Sequence, residues 1–438
     1  MKSFVRILMI VLVISLITFF FSSCGNSGPK DAASSEKEST PTQNESSSSD
    51  KKSAPLDISF KVHSQTIKDD DGTELVSFKF SYPYIANPDN EEGITAINDY
   101  YESQIQRLVT TVMSEGKKAA LEAKKAAEEG EFDFHPLVFQ RESTIYYNYN
   151  NLLSVLNLEF ENTGGAHPLS YWSSVSFDVK TGKKLALSDI LGLSKEESLE
   201  KVYEIVIEQI EDSKDKEKYY FENYEENVKN YYSEDDFVLS PEGLIFYFQP
   251  YAIAPYAAGI PIFDLPYSKA VDLSIEIVPI EPNDHERDAY LQAGKLIEAN
   301  KEVFYNIFGL SMLPLEMPEI ISEDQSIFPV KDNRFTTFSD LDNYIRGIYV
   351  KEEADALMGT ERYIEKDGKL YGDIYKDAGM GYYVDWNNYR YELNDISETE
   401  ATIKIYTVDD SPAGREEITI EVKMLKENDS WLLEKMFS

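Results

Sequence analysis

Imidazole and thiol groups are scarce in this chain, with four histidines and one cysteine in 438 residues. His167 stands in Thr163-Gly164-Gly165-Ala166-His167-Pro168, between two runs that alternate like strands. Paired glycines let a backbone approach a ligand closely, and an imidazole beside them could act as a general base. That chemistry also needs a nucleophile within reach and a group to orient the ring. No G-x-S-x-G or H-E-x-x-H pattern supplies them, and the single cysteine, Cys24, lies near the N-terminus. His63, His135 and His285 are scattered without metal-ligand spacing, and no histidine follows His285. The spacing therefore favours a turn in which Gly164 and Gly165 supply positive φ while His167 and Pro168 fix the exit into the next strand. Such a turn can still bind. Tyr146, Tyr147, Tyr149, Tyr171 and Trp172 occupy the flanking strands and could present aromatic faces to a sugar or a partner, with alternate members turned into the core. The candidate binding residues are Gly164, Gly165, His167, Tyr171 and Trp172, and neither a metal nor a cofactor is expected.

The carboxylates offer a second kind of chemistry. Asp69-Asp70-Asp71-Gly72 has the composition of a calcium loop, but an EF-hand would need a ligand at Ile67 and an acid at Phe78. A solvated turn fits better. With 79 acidic against 42 basic residues the net charge is -37, which excludes phosphate-backbone binding as the main role. The same field favours cationic partners and divalent cations, or serves solubility alone.

These residues must be placed by elements outside the cytoplasm. Lys2 and Arg6 precede an apolar run from Ile7 to Phe21 that is shorter than the roughly 20 residues of a membrane span. Ser22-Ser23-Cys24 resembles the cleavage and acylation site of bacterial lipoproteins, although Phe21 stands where those proteins prefer Leu. The expectation is a signal peptide over 1–24, a lipid anchor on Cys24 and an extracytoplasmic, membrane-tethered protein. No second cysteine exists to form a disulfide. Residues 25–56, rich in Ser, Glu, Lys and Asp, read as a tether too polar to fold.

The folded part, 42% hydrophobic over the chain, opens with a hairpin, "DISFKVHSQTI" and "LVSFKFSYPYI". Ile97, Tyr101, Ile105, Leu108 and Val112 share one helical face, while the following "KKAALEAKKAAEEG" reads as a projecting or frayed end. Ser194 to Glu197 form a capping box before a helix with Leu199, Val202, Val206 and Ile210 on one side, and Pro241-Glu242-Gly243 turns a later hairpin. Strands and helices fall in separate runs, so the fold class is α+β with antiparallel sheets.

"NTGGAHP", "SFDVKTGKKLALSDI" and "GLIFYFQPYAIAPYAAGIPIFDLPYS" resemble the domain of the lysozyme-sensing anti-sigma factor RsiV. The preceding hairpin and helix resemble the accessory domain of the peptidoglycan deacetylase PdaC, and the likeness together spans 57–276. It implies recognition of lysozyme or glycan at the cell envelope. Deacetylase catalysis is not implied, because the Thr-Phe-Asp-Asp-Gly motif of those enzymes becomes Thr407-Val408-Asp409-Asp410-Ser411, with no histidine pair after it. That segment reads as a loop between strands. An anti-sigma role is not expected, since only the residues before Ile7 would face the cytoplasm.

Residues 277–330 read as a helical connector and Pro-rich linker. In 331–438, "DGKLY", "ATIKIY" and "DSWLLEKMF" resemble NTF2-like cones, in an order similar to the IseA inhibitors of wall DL-endopeptidases. The expected function is a lipid-anchored envelope protein that binds peptidoglycan, lysozyme or a wall hydrolase without catalysis, and not nucleic acid. The alternative is a wall-active enzyme, a glycan hydrolase or deacetylase, with an acid pair that sequence cannot single out.

Overall fold

The computed structural model describes residues 55–438 except 131–132, 166, 215, 271–272, 281–283, 319–324, 378–382 and 412–413. The signal segment, Cys24 and nearly all of the tether lie outside the described residues, as does Ala166. Among the described residues no helix is long and apolar enough to cross a membrane.

The chain begins with the expected hairpin, β1 (Ile58–Lys68) and β2 (Glu74–Ile85). Helix α1 (Glu92–Thr111) runs through a π-helical turn at Val112–Gly116 into α2 (Lys117–Gly130). Three long strands follow, β3 (Leu137–Tyr149), β4 (Leu152–Asn162) and β5 (Leu169–Asp178), then the short β6 (Lys184–Leu185). β2 pairs with β3 in parallel, joined by the α1–α2 crossover, so this sheet is mixed where an antiparallel one was expected. A parallel pair needs a long crossover. Hairpin signatures in sequence are blind to it.

Helices α3 (Leu187–Leu191), α4 (Lys195–Asp212), α5 (Lys216–Tyr219) and α6 (Tyr224–Tyr231) precede a three-stranded sheet of β7 (Phe237–Leu239), β8 (Gly243–Tyr247) and β9 (Ile262–Pro266). The capping box is present: the Ser194 hydroxyl accepts from the Glu197 N–H while the Glu197 carboxylate accepts from the Ser194 N–H. Then come α7 (Asp284–Asn306), β10 (Ile327–Pro329), α8 (Phe338–Arg346), α9 (Lys351–Met358) and the hairpin β11 (Tyr363–Lys366) and β12 (Lys369–Asp373). The last strands are β13 (Asn388–Asn394), β14 (Glu400–Ser411), β15 (Gly414–Glu427) and β16 (Ser430–Leu433). Thr407 to Ser411 thus belong to β14 itself, not to a loop.

The main sheet has ten strands in the order β16-β15-β14-β13-β1-β2-β3-β4-β5-β6. It draws on both the 57–276 and the 331–438 segments, because β1 pairs with β13 from Phe60 opposite Tyr391 to His63 opposite Asn388. One face of β2 and β3 sends Phe78, Phe80 and Phe139 against Ile97, Tyr101 and Ile105 of α1. Each such buried side chain contributes about 1.5–3 kcal/mol.

Two helices differ from expectation. The end of the first helical run does not project: α2 buries Ala119, Ala120 and Ala127, and its Lys124 ammonium lies 2.9 Å from Asp69 and 2.5 Å from Asp71 in the β1–β2 turn. Alanine's small side chain permits close packing that an apolarity pattern undervalues. The acidic turn is therefore a clasp for one lysine. α7 is no mere connector either, since Ala289, Ala293, Leu296, Ile297 and Val303 join the core built on β13–β16 and β1.

Candidate functional site

The TGGAHP turn joins β4 to β5 as expected, and Gly164 adopts φ +77°. Gly165 is not in the positive-φ region, which corrects the expectation for the pair. His167 Nδ1 lies 2.9 Å from the Pro168 carbonyl and Nε2 lies 3.1 Å from the Tyr251 hydroxyl. A carbonyl can only accept, so Nδ1 carries the hydrogen, and in the neutral ring the Tyr251 O–H donates to Nε2. The ring also stacks on Tyr256, with centroids 4.0 Å apart and planes 24° from parallel, and the Tyr256 hydroxyl donates to Pro168 O at 2.8 Å. Tyr251 is 52% exposed and holds φ +68°, a conformation uncommon for a bulky residue. His167, Tyr251 and Tyr256 thus form a tilted aromatic stack at the end of the sheet.

Tyr171 and Trp172 do not join that stack. They are consecutive on β5 and face opposite sides of the sheet. Trp172 packs edge-on against Tyr247, 5.5 Å between centroids, beside Tyr146 and Leu156, while its backbone exchanges hydrogen bonds with the Gln249 amide at 3.1 and 2.6 Å. Tyr171 lies on the side of Glu161, and burial followed by that carboxylate pushes its phenol up to about 12. Tyr147 is a core residue whose hydroxyl donates to Val278 O at 2.7 Å, and Tyr149 packs against the same core.

Of the other histidines, His63 bonds to Asn388 across the β1–β13 seam and His135 is exposed. Among the described residues no group of His, Cys, Asp and Glu could hold a metal ion.

Two carboxylates stand out electrostatically. Burial, reinforced by Glu159, pushes Glu161 up to about 7, whereas Glu159 pairs with the Arg141 guanidinium at 2.5 Å. Burial likewise pushes Asp236 up to about 7. Glu161 borders a cavity of about 40 Å³ between β3, β4 and α1.

Larger clefts lie on the opposite face of the sheet, under α7. One of about 590 Å³ is bounded by β1–β4 and α7, with Lys79, Glu298, Lys301 and Tyr391 in its walls. The other, about 540 Å³, runs past Tyr146, Tyr147, Tyr149 and Tyr290, with the Arg287 guanidinium 5.2 Å from the centre of the Tyr146 ring. Glu142 and Tyr391 border both clefts. Sequence reasoning missed Tyr251 and Tyr256, although they lie in the "QPYAIAPYAAG" run. It also missed Lys79 and Glu298, which come together only when α7 packs on the sheet.

Residues 70–170 match the family model described as Deacetylase PdaC, and residues 189–268 match that of a protein of unknown function, DUF3298. The TGGAHP turn falls at the end of the first match. Together the two matches point to a cell-envelope-associated protein. A DUF3298-family crystal structure from Bacteroides fragilis is similar at 18% identity and a TM-score of 0.42, over 51% of this chain and 96% of that one. A second, from Pseudomonas aeruginosa, is similar at 15% identity and a TM-score of 0.37, over 52% and 99%. No curated protein matches the chain.

Proposed function

We propose that this protein is a lipid-anchored, extracytoplasmic binding protein of the cell envelope that recognises peptidoglycan, lysozyme or a wall hydrolase without performing catalysis. The observation that carries this reading is the state of His167. Both ring nitrogens are engaged, one by a backbone carbonyl and one by a tyrosine hydroxyl, and the ring stacks on Tyr256, which supports a role as part of an aromatic platform. An exposed aromatic stack with polar edges suits the face of a sugar or a partner's side chains. The RsiV-like reading of 57–276 and the NTF2- or IseA-like reading of 331–438 belong to the same proposal, with inhibition of a hydrolase as the corresponding role.

The enzymatic reading has one observation in its favour: burial, then the neighbouring Glu159, pushes Glu161 up to about 7, into the range of a general acid, while Glu159 pairs with Arg141. The cavity beside Glu161, about 40 Å³, has room for a water or two and not for a sugar ring. Co-sedimentation of the purified protein with peptidoglycan and with lysozyme tests the binding reading, using Tyr251→Ala and His167→Ala as variants. Release of sugar or acetate from muropeptide that is lost in Glu161→Gln would establish the enzyme instead.

A further inference from the structure

The cleft under α7 concentrates positive charge inside a strongly acidic chain. Its walls carry Lys79, Arg141, Lys295 and Lys301 against Glu142 and Glu298. Arg141 is neutralised by Glu159. Glu298 is shared: its carboxylate lies 3.7 Å from Lys79 and 3.2 Å from Lys301 and also accepts the Tyr389 hydroxyl at 2.8 Å. Lys301 also donates to the Trp386 carbonyl oxygen at 2.9 Å, and Lys295, exposed on α7, brings a third ammonium to the cleft, so three lysines stand against the carboxylates of Glu142 and Glu298.

The position of Lys79 is unusual for a charged side chain. It sits in the middle of a ten-stranded sheet, opposite Ser64 on β1 and Gln140 on β3, which in turn lies opposite Phe160 on β4. Neighbouring Phe78 and Phe80 build the apolar core on the other face. A lysine at such a place loses hydration, and burial holds its ammonium below the usual lysine range despite Glu298 and Glu142. A fold needing only a second core would place apolar residues in this row.

We infer that the cleft between α7 and strands β1–β4 binds an acidic saccharide, with Lys79 and Lys301 receiving its carboxylate. The hydroxyl and amide side chains of Ser64, Thr66, Ser77 and Gln140 offer partners for sugar hydroxyls, and Phe160 and Tyr391 offer apolar faces. At about 590 Å³ the cleft has room for a disaccharide. The inference rests on the reading of the protein as an envelope-glycan binder.

Calorimetry on the full chain distinguishes the two, using N-acetylglucosaminyl-N-acetylmuramate, with a free lactyl carboxylate, and the neutral N,N′-diacetylchitobiose. The muramate disaccharide is expected to bind at least tenfold more tightly, with an affinity that weakens as salt rises. Lys79→Met should erase the difference while the thermal midpoint stays within a few degrees. Glu298→Gln, whose amide oxygen can still accept Tyr389, should strengthen muramate binding several-fold by freeing both lysines. Equal binding of the two disaccharides, or a preference that survives Lys79→Met, would overturn the carboxylate site while leaving sedimentation with whole peptidoglycan through Tyr251 intact. Lys79-dependent binding of an acidic peptide such as Ala-Glu-Glu, without saccharide binding, would overturn the saccharide assignment.

Discussion

Phe60 on β1 lies directly opposite Tyr391 on β13, and their rings stack with centroids 5.8 Å apart and planes 26° from parallel. The pair sits on the seam where the first strand of the folded chain meets the strands of its last sixty residues, and Tyr391 borders both clefts.

Truncating that contact should weaken the whole sheet. Phe60→Ala is expected to cost about 3–5 kcal/mol. Fluorescence of Trp172 on one side and of Trp386 and Trp431 on the other should report a single, shared unfolding transition in urea. Two separated transitions would show that the seam does not couple the halves.

Three glycines should respond very differently to Ala. A Cβ on Gly93 would lie 2.1 Å from the Val179 carbonyl oxygen, so Gly93→Ala is expected to cost about 3 kcal/mol by forcing α1 away from the β5–β6 hairpin. Gly164 has open space but φ +77°, so Gly164→Ala should cost about 1 kcal/mol. Gly165→Ala should be nearly neutral, because its Cβ would meet only the His167 carbonyl oxygen at 3.8 Å. Chemical denaturation of the three variants checks the ranking, and a Gly165 variant as damaged as Gly93→Ala would contradict it.

Replacing His167 by Ala removes two hydrogen bonds and a stacked ring at a half-exposed site, which should lower stability by about 1–2 kcal/mol. Affinity for peptidoglycan should fall further in Tyr251→Ala than in His167→Ala, since Tyr251 is the exposed member of the stack. Sedimentation assays would reveal the order.

Glu161 gives stability a pH dependence with a definite sign. Its folded pKa, about 7, lies above the ordinary 4.5, so between these values the folded protein keeps a proton that the unfolded chain has lost. Stability from this group is therefore greatest below about pH 4.5 and declines as pH rises to 7. Glu161→Gln should stabilise the protein at pH 8 by about 1–2 kcal/mol, allowing for partial solvent screening, and flatten the profile between pH 5 and 8. Asp236→Asn should act in the same direction. Thermal midpoints at several pH values measure both.

Much of this architecture is legible in local pattern. The β1–β2 alternation, the α1 face through Ile97, Tyr101 and Ile105, the Ser194–Glu197 box and the Pro241–Gly243 turn are each set by residues within a few positions of one another. What escapes is what distant packing decides. The parallel β2–β3 pair and the β1–β13 seam leave no mark in either strand's own sequence. The alanines of α2 and the long α7 look surface-like by composition yet are buried, because a neighbouring sheet covers them. The site divides the same way: the turn around His167 was visible from its glycines, whereas its aromatic partners come from residues 251 and 256 and the Lys79–Glu298 pair from separate elements.

The seam also has a meaning in time. β1 pairs with β13 at residues 388–391, so the first described strand to leave a ribosome waits for nearly the last before its outer edge is covered. Until then β1 presents an open, alternating edge of the kind that recruits other chains. Closure across so long a loop is slow, and a newly made chain would spend that interval exposed to proteases and to copies of itself. A holding partner would serve this protein most in the interval before its C-terminal strands arrive.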